Sequence, residues 1–251
     1  MICVRGALRR AVALRAGPGG RGAARPSRSL AKGGLQPPLD TPEDSYGTKM
    51  GVEGLGGFGH PMSAGKGARM SDPYFFGYGS LVNRATHVYA PAYRARLLGW
   101  RRAWVHTDGR GAPFLTGVRD ASSAIDGLVA LVPGSNWAAL DLREEGYVRH
   151  PVAVEGEVRA AQVYAVPPQT VVVQEQPAPI LLSYLDVVAQ GYLREFGQAG
   201  AADFFATTDG WETPVRDDRA APLYPRAQVL AAEETAFVDA MLRRVGGRVV
   251  A

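Results

Sequence analysis

The chain has 251 residues and a formal net charge of +4, enough length for one large domain or two small ones. Residues 1–69 carry a net +7 and residues 70–251 a net −3, so the basic excess belongs to the N-terminal segment and gives a nucleic-acid-binding face on the folded part no support. Cys3 is the one cysteine and the three lysines all precede residue 70. That excludes an intrachain disulfide, a thiolate metal site, and a cysteine nucleophile or Schiff-base lysine in the folded part. No apolar run approaches the ~18 residues of a membrane span.

Residues 1–69 are expected to form a disordered, basic and glycine-rich tail. Residues 1–34 hold seven arginines, one lysine and no acid, the composition of an organelle transit segment. Met70-Ser71-Asp72-Pro73 would also make a natural start, so the tail reads equally as an upstream extension of the gene. The expected location is cytoplasmic, or an organelle if the transit reading holds. Residues 70–251 are expected to form the folded domain, with 171–251 a helical C-terminal extension.

The folded part opens on Tyr74-Phe75-Phe76-Gly77-Tyr78-Gly79-Ser80-Leu81-Val82. Aromatic residues at its start favour a strand. The glycines that follow mark a turn or a close approach of backbone to a ligand. Consecutive amide groups in such a turn can form a concavity for an anion. Residues 83–93 read as a connection. Residues 95–106 read as a strand, with Arg101 and Arg102 expected to face solvent while their stems cover apolar surface. Asp108-Gly109 starts a polar turn, and residues 125–132 form a buried strand closed by Pro133-Gly134.

A short helix is expected over residues 137–145, capped by Ser135 or Asn136 and ended at Gly146. At about 100° per residue, Glu144 falls between Leu140 and Trp137 on the apolar face. A carboxylate turned inward must be paired, hydrogen-bonded or raised in pKa. The pattern leaves two readings open: a structural Glu144 tied to an arginine or to amides, or a general base or acid. Further strands are expected over 147–154, 162–166 and 170–173. Residues 180–196 carry the apolar stripe of an amphipathic helix ending at Gly197. A short helix over 200–205 and a last one over 233–245 complete the chain. Short strands around one helix imply an α+β fold or a partly closed barrel.

Ser80 does not stand in a G-x-S-x-G elbow, because Val82 occupies the place of the second glycine. His87, His106 and His150 lack metal-ligand spacing, and no GxGxxG or Walker pattern occurs.

Tyr78-Gly79-Ser80-Leu81, followed by Leu140-Asp141-Leu142-Arg143-Glu144, resembles the loop and the catalytic helix of the γ-glutamylcyclotransferase superfamily. The Leu form of the loop and Leu98-Gly99-Trp100-Arg101-Arg102 are similar to its ChaC-like branch; Val82-Asn83 departs from that branch's usual Ile-Trp. The resemblance covers residues 74 to about 170. It implies a mixed α+β fold, a partly closed β-barrel with flanking helices. It also implies a cyclotransferase that releases 5-oxoproline from a γ-glutamyl compound, with Glu144 as general base and acid. Gly77, Tyr78, Gly79, Ser80, Leu81 and Val82 would bind the substrate. No cofactor or metal is called for, and neither nucleic acid nor membrane is an expected partner. Glutathione is the favoured substrate, with γ-glutamyl amino acids or γ-glutamylamines as alternatives. A non-catalytic protein that binds a small metabolite on the same fold is the competing class.

Overall fold

The computed structural model describes residues 73–108 and 111–250. The expectations for residues 1–69, and for Gly109 in the polar turn, lie outside the described residues.

Strand β1 (Tyr74–Gly77) is buried on both faces, so its sequence is continuously apolar rather than alternating. Tyr74 and Phe76 enter one cluster with Leu97, Trp100, Ile125 and Val163. Phe75, between them, enters a second cluster with Leu81, Leu140 and Tyr164. Two long antiparallel strands follow, β2 (Ala92–Thr107) and β3 (Phe114–Leu131). Their register shifts between Leu98 and Trp100. Gly99 sits there at φ 75°, a left-handed conformation that suits the extra residue of a bulge. The middle of β3 carries no strand signal because Asp120, Ser122 and Ser123 are polar. Ladders with β2 on either side hold it in place, one of them running from Trp100 opposite Arg119 to Val105 opposite Phe114.

Helix α1 (Ala138–Arg143) precedes β4 (Val148–Ala153), β5 (Glu155–Gly156) and β6 (Ala160–Ala165). The sheet runs β4-β6-β1-β3-β2-β5. Two short strands, β7 (Val171–Val172) and β9 (Thr208–Asp209), add to β2. The pairs β1–β6 and β2–β9 are parallel, the remainder antiparallel. This is the expected α+β architecture with a curled, partly closed sheet. A second sheet joins β8 (Ile180–Leu181), β10 (Val215–Arg216) and β11 (Val249–Val250), all parallel.

Helix α2 (Leu182–Ala206) breaks at Gly197, where φ 68° and ψ −173° interrupt the helical path. The expected stop at Gly197 and the short helix after it are thus the two arms of one element. Its apolar side packs with Val82, Leu128 and Trp104, and α3 (Ala232–Arg244) covers it through Val238, Met241 and Leu242. Arg219 ties the two helices, donating to Asp186 at 2.7 and 2.8 Å and to Asp239 at 2.7 Å. Residues 171–250 therefore supply part of the core beneath the sheet.

Arg102 departs from its expected place at the surface. It is 1% exposed, and its guanidinium donates to Thr207 Oγ1 at 2.6 Å, Tyr192 Oη at 3.0 Å and Thr208 Oγ1 at 3.2 Å. The rings of Tyr192 and Phe204 lie 5.2 and 5.1 Å from its Cζ. A buried cation is tolerable when hydrogen bonds and aromatic faces replace water. Arg101 is half-buried and pairs with Asp120 at 3.4 Å and with Asp209. Arg102→Lys loses the planar fork and is expected to destabilise the fold by about 1–3 kcal/mol, and Arg102→Ala by more. Denaturant midpoints of the two variants check this; midpoints equal to that of the parent protein would contradict the assignment.

Candidate active site

The turn after β1 places the glycine-rich loop at the end of the most buried strand. Gly77 cannot carry a side chain: an added Cβ would lie 2.5 Å from Leu81 Cβ. The loop closes as a 3-10 turn, Ser80–Val82, in which Val82 N–H donates to Gly79 O at 3.0 Å and Asn83 N–H to Ser80 O at 3.1 Å. Helix α2 supports it from behind. Asn83 Nδ2 donates to Val187 O and to Gln190 Oε1, both at 3.0 Å. A Cβ on Gly191 would stand 2.7 Å from Asn83 N, so helix and loop meet backbone to backbone.

Helix α1 is shorter than expected. Ser135 takes a positive φ of 57° and no side chain caps the helix. Glu144 is where the chain leaves it, although its N–H still donates to Leu140 O at 2.9 Å. Gly146 follows at φ 98°, as the stop signal implied. Leu140 is fully buried. Asp141 accepts from Tyr164 Oη at 2.6 Å and pairs with Arg149 at 2.8 Å. These contacts fix the helix against β4 and β6, and with it the direction of Glu144.

The Glu144 carboxylate points inward, as the helical spacing indicated, and its side chain is 15% exposed. Arg143 Nε lies 3.1 Å from it. The same guanidinium donates to Thr86 O at 2.7 Å, Thr86 Oγ1 at 3.1 Å and Ser80 Oγ at 3.2 Å. Both readings of Glu144 left open by the pattern meet here: it is tied to an arginine, and burial still pushes its carboxyl above the ordinary glutamate range, against the opposing pull of Arg143 and Arg226.

Gly77, Tyr78, Gly79, Ser80 and Leu81 share one small hollow with Glu144, together with Leu115, Tyr147, Tyr164 and Tyr184. Val82 is the exception among the expected binding residues. It is fully buried in the core facing α2 and lines neither this hollow nor the wider one beside it. Its side chain faces the core because the 3-10 turn rotates it away from Ser80. Tyr78 lines the hollow, but its hydroxyl is engaged by the strands, donating to Tyr164 O at 2.5 Å and accepting from Gly117 N–H at 2.7 Å. Burial raises its pKa. Tyr147 donates to Leu115 O at 3.0 Å. The Tyr184 hydroxyl lies against the loop: a Cβ on Gly79 would approach it to 2.9 Å.

The inner hollow has about 30 Å³ of free space and adjoins an outer cleft of about 260 Å³. Ser80, Leu115, Glu144, Tyr147 and Tyr184 line both. Trp104, Phe114, Arg143, Glu145, Tyr224 and Arg226 line only the outer cleft. The Glu144 carboxylate and the turn Gly77–Leu81 thus line one narrow space, with room for a small molecule beside it. His87, His106 and His150 stand apart on separate segments. Neutral His87 has its pKa lowered to about 4, chiefly by burial. Its Nε2 lies 3.1 Å from Leu81 O. His106 Nε2 lies 2.9 Å from Ala178 O. The sequence does not single out Arg143 and Tyr184 as site residues: at about 100° per residue Arg143 falls off the apolar face of the short helix, and Tyr184 lies within the apolar stripe of residues 180–196.

No curated protein sequence matches this chain. Among solved structures it is similar to a "Gamma-glutamyl cyclotransferase" at 17% identity and TM-score 0.45, covering 66% of this chain and 98% of that one. It is also similar to an uncharacterized protein from Homo sapiens at 18% identity and TM-score 0.44, covering 66% and 97%. A third is the γ-glutamyl cyclotransferase specific to glutathione from yeast, at 16% identity and TM-score 0.32, covering 70% and 97%. Residues 75–184, which contain the loop, α1 and Glu144, match the family model described as "Gamma-glutamyl cyclotransferase, AIG2-like". By that match the domain built on these residues belongs to the γ-glutamylcyclotransferase superfamily.

Proposed function

We propose that the protein is a cyclotransferase that releases 5-oxoproline from a γ-glutamyl compound, and that Glu144 is its general base and acid. The observation that carries this reading is a desolvated carboxylate sharing a narrow hollow with the turn Gly77–Leu81. The ionised Glu144 takes a proton from the α-ammonium of the γ-glutamyl group. The freed amine attacks its own γ-carbonyl carbon, forming the new C–N bond of a five-membered ring. The oxyanion that develops is held by amides of Gly79, Ser80 and Leu81. The tetrahedral centre collapses, its original C–N bond breaks, and protonated Glu144 gives the proton to the departing amine.

Nucleophile and electrophile belong to one molecule, so the protein's contribution is to hold a folded substrate near attack geometry. A base whose pKa is raised toward that of its proton donor transfers the proton at a lower cost. Arg143 positions it. Among candidate substrates glutathione is favoured by the Leu form of the loop. Arg101 and Arg102 do not add to that preference, since neither lines the hollow or the cleft.

Purified full-length protein should release 5-oxoproline from at least one of glutathione, γ-glutamyl-alanine and γ-glutamyl-lysine. Glu144→Gln should lower kcat by about 10²–10⁴-fold while keeping the fold. No release from any of the three, with binding retained, would favour a metabolite-binding protein instead. The acid limb of kcat/KM should lie above the ordinary glutamate range, because activity needs the ionised form of a carboxyl whose pKa is raised. Arg143→Met removes a cation that favours ionisation, so the limb should move to still higher pH, by about 1–2 units. A limb that stays in place in this variant would remove Arg143 from the account of Glu144.

A further inference from the structure

The outer cleft begins where Glu144 would release the departing amine. Its walls are aromatic: Trp104 packs edge to face on Tyr184 at 5.9 Å, and Tyr184 on Tyr224 at 5.0 Å. Two arginines reach it, Arg143 and Arg226. Arg143 is committed to Glu144, Ser80 and Thr86. Arg226 is exposed and, among the described residues, belongs to no ion pair. Its backbone is set by the turn in which Ala227 N–H donates to Tyr224 O at 3.0 Å. Glu145 also opens onto the cleft. Of the two arginines, Arg226 is therefore the cation that an entering anion finds without an ion-pair partner among the described residues. Arg226 lies outside the residues 75–184 matched by the family model, so it is a feature of this chain's own later segment.

We propose that Arg226 is a specificity residue that binds a carboxylate carried by the leaving amine. The substrates are then γ-glutamyl amino acids or peptides, in preference to γ-glutamyl derivatives of simple amines. The inference rests on the cyclotransferase reading and deepens it. The γ-glutamyl group enters the inner hollow past Glu144. The amine half remains in the aromatic cleft, where a planar guanidinium can take a carboxylate through two parallel hydrogen bonds. Arg226 touches the half of the substrate that does not close the ring, so its interaction acts mainly on binding.

The test compares γ-glutamyl-alanine with γ-glutamyl-ethylamine, which lacks the carboxylate, in full-length protein and in Arg226→Ala and Arg226→Lys. The parent protein should prefer γ-glutamyl-alanine by about tenfold or more in kcat/KM. Arg226→Ala should bring the ratio toward one, mainly through KM for γ-glutamyl-alanine, and Arg226→Lys should restore part of it. Equal losses on both substrates, seen in kcat and with a shifted pH profile, would mean that Arg226 acts through Glu144 and would overturn the proposal. So would a parent protein that does not discriminate. Titration of both ligands into Glu144→Gln, with and without Arg226→Ala, separates this failure from failure of the activity. Absence of 5-oxoproline overturns the cyclotransferase. A carboxylate preference in binding that is absent while Arg226 is present, or that survives Arg226→Ala, overturns the role of Arg226.

Discussion

Arg143 holds together two parts of the site that the chain supplies sixty residues apart. A carboxylate withdrawn from water loses far more solvation than one neighbouring cation returns unless the geometry is close. Here desolvation outweighs Arg143 and Arg226 together, and the Glu144 carboxyl stays above its ordinary range. The pair is close, 3.1 Å, and Arg143 itself is only 8% exposed. Its remaining donors go to Thr86 and Ser80, so a shift of the loop would disturb the partner of the carboxylate. The position of the Glu144 carboxylate and that of the loop are thereby one constraint.

The scaffold exists to make that constraint rigid. A strand buried on both faces has no freedom to slide, and β1 ends directly in the loop. Leu140 and Asp141 lock α1 on one side, through Phe75, Tyr164 and Arg149. Helix α2 locks the other, through the backbone contact at Gly191 and the Asn83 amide. The Tyr192 hydroxyl joins the two layers, lying 3.0 Å from Tyr78 O and 2.7 Å from Asp126 O while accepting from Arg102. The buried cation at Arg102 is thus part of what keeps the loop still, at a distance from any chemistry.

What the sequence makes legible follows from how local each signal is. The aromatic run of β1, the glycines of the loop, the break at Gly197 and the stripe of α3 depend on neighbours within a few positions, and each could be read. Glu144 could be aimed because a helix of even six residues fixes directions over one turn. Arg102 could not be placed, because the hydroxyls that solvate it come from Thr207, Thr208 and Tyr192, roughly a hundred positions away. Val82 was grouped with the loop by adjacency, whereas a 3-10 turn of three residues rotates each side chain onto a different face. The middle of β3, Arg119–Ser123, is polar and largely exposed, and only its ladders with β2 on either side identify it as part of one strand.

The site is also divided along the chain. Glu144, Arg143 and the loop Gly77–Leu81 all lie within residues 75–184, the stretch matched by the family. The cleft beside them is closed by Tyr224 and Arg226, which arrive only after the long path through α2 and β10. Glu144 and Arg143 have no hydrogen bond to that later segment among the described residues; its influence on the carboxylate is the through-space field of Arg226. Such a field weakens with distance and is screened where solvent enters, whereas a carboxylate bound directly in the cleft would feel the guanidinium at contact. In the proposed reaction, changes at positions 224–226 therefore bear first on which amine is accommodated and only second on how strongly its proton is moved. On that proposal, a fixed acid–base group beside a separately built cleft lets selectivity vary while the ring-closing geometry is kept.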